Sequence, residues 1–252
     1  MTTLVVGAGA MGRWVGSLVP GDVAYTDTDP DAAAAAASAT GGRVVQLDHD
    51  ETFEAVCLAV PMAVVREAIA THAPAAERAI FDVTGEMTGP VEAMRKYAPD
   101  RERVSFHPLF APENAPGNVP VVADVPGPVT DRIRERMSDA GNTVFETTVR
   151  EHDEAMSTVQ AKAHAAILAY ALTADEVDER FHTPVSTELT DLIDQVVGGE
   201  PHVYANIQQV FDGADDVADA ARLIADADAE TFVELYEDAT TRRTERSTRE
   251  DT

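Results

Sequence analysis

At 252 residues the chain is long enough for one or two domains with a sizeable buried core, which excludes a peptide module or a disordered tail. Its 19 Lys and Arg stand against 45 Asp and Glu, a formal net charge of −26, so its surface repels phosphate backbones and anionic lipid and neither nucleic acid nor a membrane is an expected partner. With Cys57 as the single cysteine, an intramolecular disulfide and a cysteine-built zinc cluster are excluded, and no metal is expected.

Residues 3–6 read as a strand, 11–19 as a helix and 23–26 as a second strand. The Ala-rich stretch 31–38 reads as a second helix, with Asp29-Pro30 as its cap and first turn. Apolar runs at 44–45, 55–60, 79–83, 104–106 and 119–122 supply further strands, with helices over 62–70 and 89–97 between them. Cys57 falls inside one of these runs and reads as a core residue. The alternation predicts a parallel sheet with helices on both faces.

After a strand-like run at 143–147 the pattern changes. Residues 152–172 contain no Gly or Pro, enough for a helix of five or more turns, and Pro184, Gly198-Gly199-Glu200-Pro201 and Gly213 punctuate shorter helices beyond. The expected organisation is an α/β domain over 1–148, a helical domain over 149–240 and a flexible tail over 241–252, which has no apolar residue. No run reaches the roughly 18–20 apolar residues of a membrane span, and no basic, apolar leader precedes the first strand, so a cytoplasmic protein is expected.

Val5-Val6-Gly7-Ala8-Gly9-Ala10-Met11-Gly12 is a GxGxxG run that follows a predicted strand and opens a predicted helix. In such a turn the first glycine permits the tight bend, the second lets backbone approach a pyrophosphate and the third allows close helix packing. The first helix amides face the anion. Asp27 ends the second strand twenty residues after Gly7, where a carboxylate accepts hydrogen bonds from ribose hydroxyls and repels a 2′-phosphate. The expectation is an N-terminal Rossmann-type dinucleotide-binding domain that prefers NAD over NADP. Gly7, Ala8, Gly9, Ala10, Met11 and Gly12 are expected at the phosphates and Asp27 at the ribose, with Asp29 in its place if the strand runs longer; Arg13 reads either as a phosphate contact or as a solvated helix residue.

Ligands of such sheets gather at the carboxyl ends of the strands. Val60-Pro61, Thr84-Gly85 and His107-Pro108 occupy such ends. His107 stands out because an imidazole accepts a proton near neutral pH, as alcohol oxidation requires when hydride leaves the carbinol carbon. A structural histidine is the other reading of the same position.

The ordered set Gly7-Ala-Gly-Ala-Met-Gly-Arg13, Leu58-Ala-Val-Pro61, Phe81-Asp82, Gly89-Pro90, His107-Pro-Leu-Phe-Ala-Pro112 with Glu113, and His152-Asp153 followed by Gln160 and His164 resembles the prephenate and arogenate dehydrogenases of tyrosine biosynthesis. The resemblance covers most of the chain. It implies a helical second domain that forms a homodimer, and NAD(P)-dependent oxidative decarboxylation of prephenate to 4-hydroxyphenylpyruvate or of arogenate to tyrosine. It makes His107 the acceptor of the C4-hydroxyl proton and Val60-Pro61 part of the cofactor site. It gives Glu113 a gating role and places His164 near the substrate.

Gln160 and His164 share a helix face as an i,i+4 pair. His152, twelve residues before His164 and so ~18 Å away along a helix, is left to the helix start, an interdomain contact or plain surface. Two positions depart from the family. Gly85-Glu86-Met87 stands where a Ser-Val-Lys segment usually touches cofactor and substrate hydroxyl, with Thr84 offering a neighbouring hydroxyl. Gln195 stands where an arginine grips a substrate carboxylate, which leaves Arg180, Lys162 or a partner subunit to supply the cation.

The alternatives are a 3-hydroxyacid dehydrogenase and a non-catalytic NAD-binding protein. The first uses a helix lysine with an asparagine four residues later; here Lys162 is followed by Ala166. Scattered acids with Lys96 and Lys162 as the only lysines also match the composition of halophile proteins, which predicts folding that strengthens with salt.

Overall fold

The computed structural model describes residues 1–250. In the first part of the chain, β1 (Thr2–Val6) turns into α1 (Ala10–Leu18) and β2 (Asp22–Thr26) into α2 (Pro30–Thr40). Then come β3 (Arg43–Val44), β4 (Phe53–Leu58), α3 (Val65–His72), β5 (Ala76–Asp82), α4 (Thr88–Tyr97), β6 (Glu102–Phe106) and β7 (Asn118–Val125). α5 (Pro128–Asp139), β8 (Thr143–Glu146) and α6 (Val149–Met156) complete it. The strands form one eight-stranded sheet in the order β3-β2-β1-β4-β5-β6-β7-β8.

Alternation along the strands decides which helix each residue meets. Leu4, Val6, Val56, Leu58 and Ile80 point to one face, in a core with Val65 and Ile69 of α3 and Val91 and Met94 of α4. Val5, Tyr25, Cys57 and Phe81 point to the other, in a core with Val15 of α1, Ala33 and Ala36 of α2, and Ile133 of α5. A sheet buried on both faces needs strands with continuous apolar runs, as β4 has from Ala55 to Leu58. The predicted cap of α2 is present: Asp29 accepts from the Asp31 amide, Pro30 opens the helix and Gly41, at φ +73°, ends it.

The sheet differs from the all-parallel expectation at one pair, since β7 runs antiparallel to β6. Residues 107–117 hold no crossover helix, only a short 3₁₀ turn at Pro112–Asn114, so the chain returns along the neighbouring edge. The sequence reading also passed over α5, whose Val129, Ile133 and Met137 recur at helical spacing and are buried. Its start is held from a distant strand, because the Glu102 carboxylate accepts from the Val129 and Thr130 amides at 2.8 and 2.9 Å.

Contacts divide the chain into two units: Met1–Met156 with Ala205–Val210, and Ser157–Tyr204 with Phe211 onward. Helix α6, assigned to the second domain from sequence, thus belongs to the first, where it packs on α4. The second unit holds α7 (Ala163–Thr173), α8 (Pro184–Val197), α10 (Ala214–Asp226) and α11 (Ala229–Glu250), while α9 (Pro201–Val210) is shared in sequence with the first. Two expectations need correction here. The uninterrupted helix over 152–172 is broken by a π-helical turn at Ser157–Lys162. The tail expected over 241–252 continues as α11 to Glu250, and residues 251–252 lie outside the described residues. No helix of the described residues is long and apolar enough to cross a membrane.

Candidate active site

The glycine loop is built as the motif requires. Gly7 adopts φ +95° and donates its amide to the Thr26 carbonyl at 2.9 Å; a Cβ there would stand 2.3 Å from the Ala59 carbonyl oxygen. A Cβ on Gly12 would stand 1.9 Å from the Gly7 carbonyl oxygen, so β1 and α1 meet backbone to backbone. Gly9 differs, because a Cβ there meets nothing within 4 Å. Two glycines are thus demanded by the fold, and Gly9 leaves room for something outside it. Ala10 and Met11 open α1, whose first amides have no partner within the helix.

Asp27 follows β2 and turns toward this loop: Oδ2 accepts from the Ala8 amide at 2.6 Å and Oδ1 from the Asp29 amide at 2.9 Å. Arg13 folds back to donate to the Ala8 carbonyl at 3.3 Å. Val60 and Pro61 follow β4, and Val60 Cγ1 would stand 3.1 Å from a Cβ on Gly7. The expected cofactor residues are therefore gathered in one place. This donor set fits a dinucleotide, with free helix amides and an uncovered glycine for the phosphates and a carboxylate at the strand end for the ribose.

His107 follows β6 and is buried. Its Nδ1 lies 2.8 Å from Nε2 of His152, and His152 Nδ1 lies 2.7 Å from Asp153 Oδ1. His152 is thus buried inside the first unit, which corrects its placement at a surface or an interdomain contact. Asp153 is anchored by the start of α4: it accepts from the Met87 and Thr88 amides, each at 3.3 Å, and from the Thr88 hydroxyl at 2.5 Å. Hydrogen bonds from His152, Thr88 and Met87 outweigh its burial and hold its carboxyl below the usual range. An ionised carboxylate only accepts. His152 therefore carries its proton on Nδ1 and offers Nε2 as an acceptor, His107 donates from Nδ1, and the lone pair of His107 is left on Nε2. That nitrogen lies 3.6 Å from where a Gly85 Cβ would stand. Burial, with a smaller contribution from His152, pushes the His107 imidazole down to about 3, so it is a neutral base across the physiological range.

Thr84, the neighbouring hydroxyl, has its proton engaged within its own turn. It is buried, and its Oγ1 donates to Asp82 Oδ2 at 2.6 Å, with its amide on the same oxygen at 3.1 Å. Asp82 is fully buried at the end of β5, and desolvation pushes its carboxyl up to about 7. Gly85 leaves the face beside His107 without a side chain, and a Cβ there would press on Met62 Sδ at 2.9 Å.

Of the remaining expected residues, Glu113 stands exposed on the 3₁₀ turn of the first unit. The others lie in the second unit. Gln160, on the π-helical turn, has a buried Oε1 without a hydrogen-bond partner, as has Nδ1 of His164. The His164 ring sits edge-on to Tyr204 with centroids 4.9 Å apart, and burial lowers its pKa. Single π turns recur at functional sites; one orphaned buried polar atom lies on this turn, at Gln160, and one just past it on α7, at His164, where a ligand could complete the bonding. Gln195 is exposed on α8. Both cations considered as its substitutes are already paired, Lys162 with Asp216 and Arg180 with Asp178.

Sequence reasoning missed the link from His107 through His152 to Asp153. Adjacency of His152 and Asp153 was visible, but their partner lies 45 residues away on another element.

No protein-family model matches the chain. It is similar to the 4-amino-4-deoxyprephenate dehydrogenase of Streptomyces pristinaespiralis, with 31% identity over 265 residues that cover 92% of this chain and 88% of the relative. Among solved structures, the prephenate dehydrogenase from A. aeolicus in complex with hydroxyphenyl propionate and NAD+ matches with a TM-score of 0.70 at 17% identity, over 97% of this chain and 98% of that one. A Synechocystis arogenate dehydrogenase matches with a TM-score of 0.63 at 16% identity, over 98% of this chain and 99% of that one. At these identities the two structures establish a shared fold.

Proposed function

Because the chain belongs to the prephenate and arogenate dehydrogenase family, we propose that it catalyses the NAD-dependent oxidative decarboxylation of prephenate to 4-hydroxyphenylpyruvate. The class, an oxidoreductase acting on a CH–OH group, follows from membership; the substrate and the residue roles are the proposal. The observation that carries it is the buried neutral His107, whose Nδ1 is tied to His152 and whose Nε2 is left with a lone pair.

The loop from Gly7 to Gly12, with Arg13, Asp27, Val60 and Pro61, would hold the dinucleotide, and Asp27 favours NAD because a carboxylate repels a 2′-phosphate. When bound, the nicotinamide supplies a hydride acceptor. His107 Nε2 takes the proton of the C4 hydroxyl as the C4 hydride departs, so the carbinol becomes a carbonyl without a high-energy alkoxide. The ring carboxylate then leaves as carbon dioxide, its bonding electrons aromatise the ring, and the resulting phenolate oxygen reclaims the proton from His107. Gln160 and His164 supply neutral hydrogen-bonding atoms to the substrate, and Glu113 on its exposed turn gates access. Large apolar side chains exposed on the second unit, among them Leu172, Phe181, Val185 and Tyr236, support a homodimer through the helices.

The 31% relative acts, by its name, on a substrate with an amino group at C4, and Gly85 leaves no hydroxyl beside His107 to choose between the two substituents. The deciding experiment is NADH formation with prephenate, arogenate and 4-amino-4-deoxyprephenate, each at low and molar KCl. Prephenate should give the highest kcat/KM. Turnover of the amino compound alone would reassign the substrate, and NAD binding without reduction by any of the three would overturn the enzymatic reading.

A further inference from the structure

The site holds a second histidine for which a base at His107 alone has no use. His152 is as buried as His107, and it stands between that base and a carboxylate anchored by three donors of the α4 start. Protonating His107 in place would leave a cation in a buried ring whose own neighbour is a neutral imidazole. One hydrogen bond further along, the same charge would lie 2.7 Å from Asp153.

We propose that His152 is a positioning residue that carries the positive charge during turnover. As the substrate O–H breaks and His107 Nε2–H forms, His107 Nδ1–H breaks and His152 Nε2–H forms. His107 ends neutral in the opposite tautomer. His152 ends as an imidazolium that still donates from Nδ1 to Asp153, and the return of the proton to the product oxygen reverses both transfers. The proposal rests on the function proposed above for His107 and adds where the charge resides.

The charged groups around the pair come from four elements: Asp153 beside His152 on α6, Glu86 in the turn before α4 near Asp153, and, next to Glu86, Glu92 on α4 and Arg66 on α3. Among them Asp153 alone bonds an imidazole, so the first proton added to the pair on acidification should enter at His152. It would turn His107 to the Nε2–H tautomer, which cannot act as a base. Proton loading of His152 and loss of activity at low pH are then one event.

Two measurements test this, one of them independent of turnover. In ¹⁵N-histidine NMR of the wild-type protein, His107 should be the Nδ1–H tautomer at neutral pH. On acidification His152 should become doubly protonated while His107 switches tautomer; His107 becoming doubly protonated first overturns the proposal, whatever the substrate proves to be. In steady-state kinetics, His152→Gln keeps a hydrogen-bond acceptor for His107 but cannot take a proton. Its kcat should fall on the order of 100-fold, with KM and NAD affinity unchanged, and the acid limb of its pH profile should move to lower pH. Wild-type kcat in His152→Gln, or a reduced kcat with the acid limb in its original place, would show that His152 only packs the site. Failure of the wild-type enzyme to oxidise any of the three substrates would instead strike the proposed function and leave the NMR result to stand or fall alone.

Discussion

The two glycines of the cofactor loop that share a motif but not a structural duty make the sharpest test of the site. Gly9 has φ −66° and ψ −166°, a conformation open to any residue, and a Cβ there meets nothing within 4 Å. Gly9→Ala should gain about 0.4–1 kcal/mol from the stiffer unfolded chain and lose a few tenths to about 1 kcal/mol because alanine is a poor N-cap. The net change is close to zero, and Tm should move by no more than about 2–4 °C. The methyl group nonetheless points into the space that a pyrophosphate must enter. Overpacking costs about 1–3 kcal/mol, so NAD affinity should fall roughly five- to a hundredfold.

Gly12→Ala inverts the pattern, since its Cβ would lie 1.9 Å from the Gly7 carbonyl oxygen and both partners are backbone. It should lower Tm by several degrees before any ligand is added. Trp14, the only tryptophan, lies on α1 just past the loop and gives a fluorescence signal for NAD titration, to be set beside thermal melts of the free proteins. Wild-type NAD affinity in Gly9→Ala, or a loss of affinity that merely follows a falling Tm, would refute the assignment of the loop to the phosphates.

His107→Asn keeps a polar partner for His152 but not a base, and should lower kcat by about 10²–10⁴ with NAD affinity unchanged; unaltered turnover would remove His107 from the chemistry. Asp27→Ala should raise the ratio of kcat/KM for NADP over NAD at least tenfold, by rough estimate. Because Asp27 also accepts from the Ala8 amide, weaker binding of both cofactors at an unchanged ratio would assign it to the loop alone. Asp82→Asn tests the buried carboxyl. A folded pKa raised to about 7 means that between about pH 4 and 7 the folded state holds a proton that the unfolded chain releases, so stability falls as pH rises through this window. The amide removes that slope, and its Tm should exceed wild type at pH 8 by more than at pH 5. With a net charge of −26, Tm should also climb as KCl is raised from low to molar concentration, and a flat response would end the halophilic reading.

What the sequence determined is what depends on near neighbours. The GxGxxG spacing, the strand before it and Asp27 after it are local, and the loop closes as that spacing demands. The cap of α2 and most strand positions were legible for the same reason, since turn chemistry and short continuous apolar runs act over a few residues. His107 was visible as a strand-end histidine, and its family resemblance supplied a role.

Tertiary structure alone decided the rest. β7 reverses because the segment before it has no helix to carry it across the sheet, and α6 joins the first unit, where its His152 bonds to His107 after β6 and its Asp153 to the start of α4. Thr84 looked like a spare hydroxyl, but a buried carboxyl two residues earlier claims it. The tautomer of His107 is set by Asp153, through a histidine 45 residues away in the chain. Hydrogen bonds between side chains on separate elements leave no period or spacing in a sequence; they exist only once the order of strands has brought their owners within 3 Å.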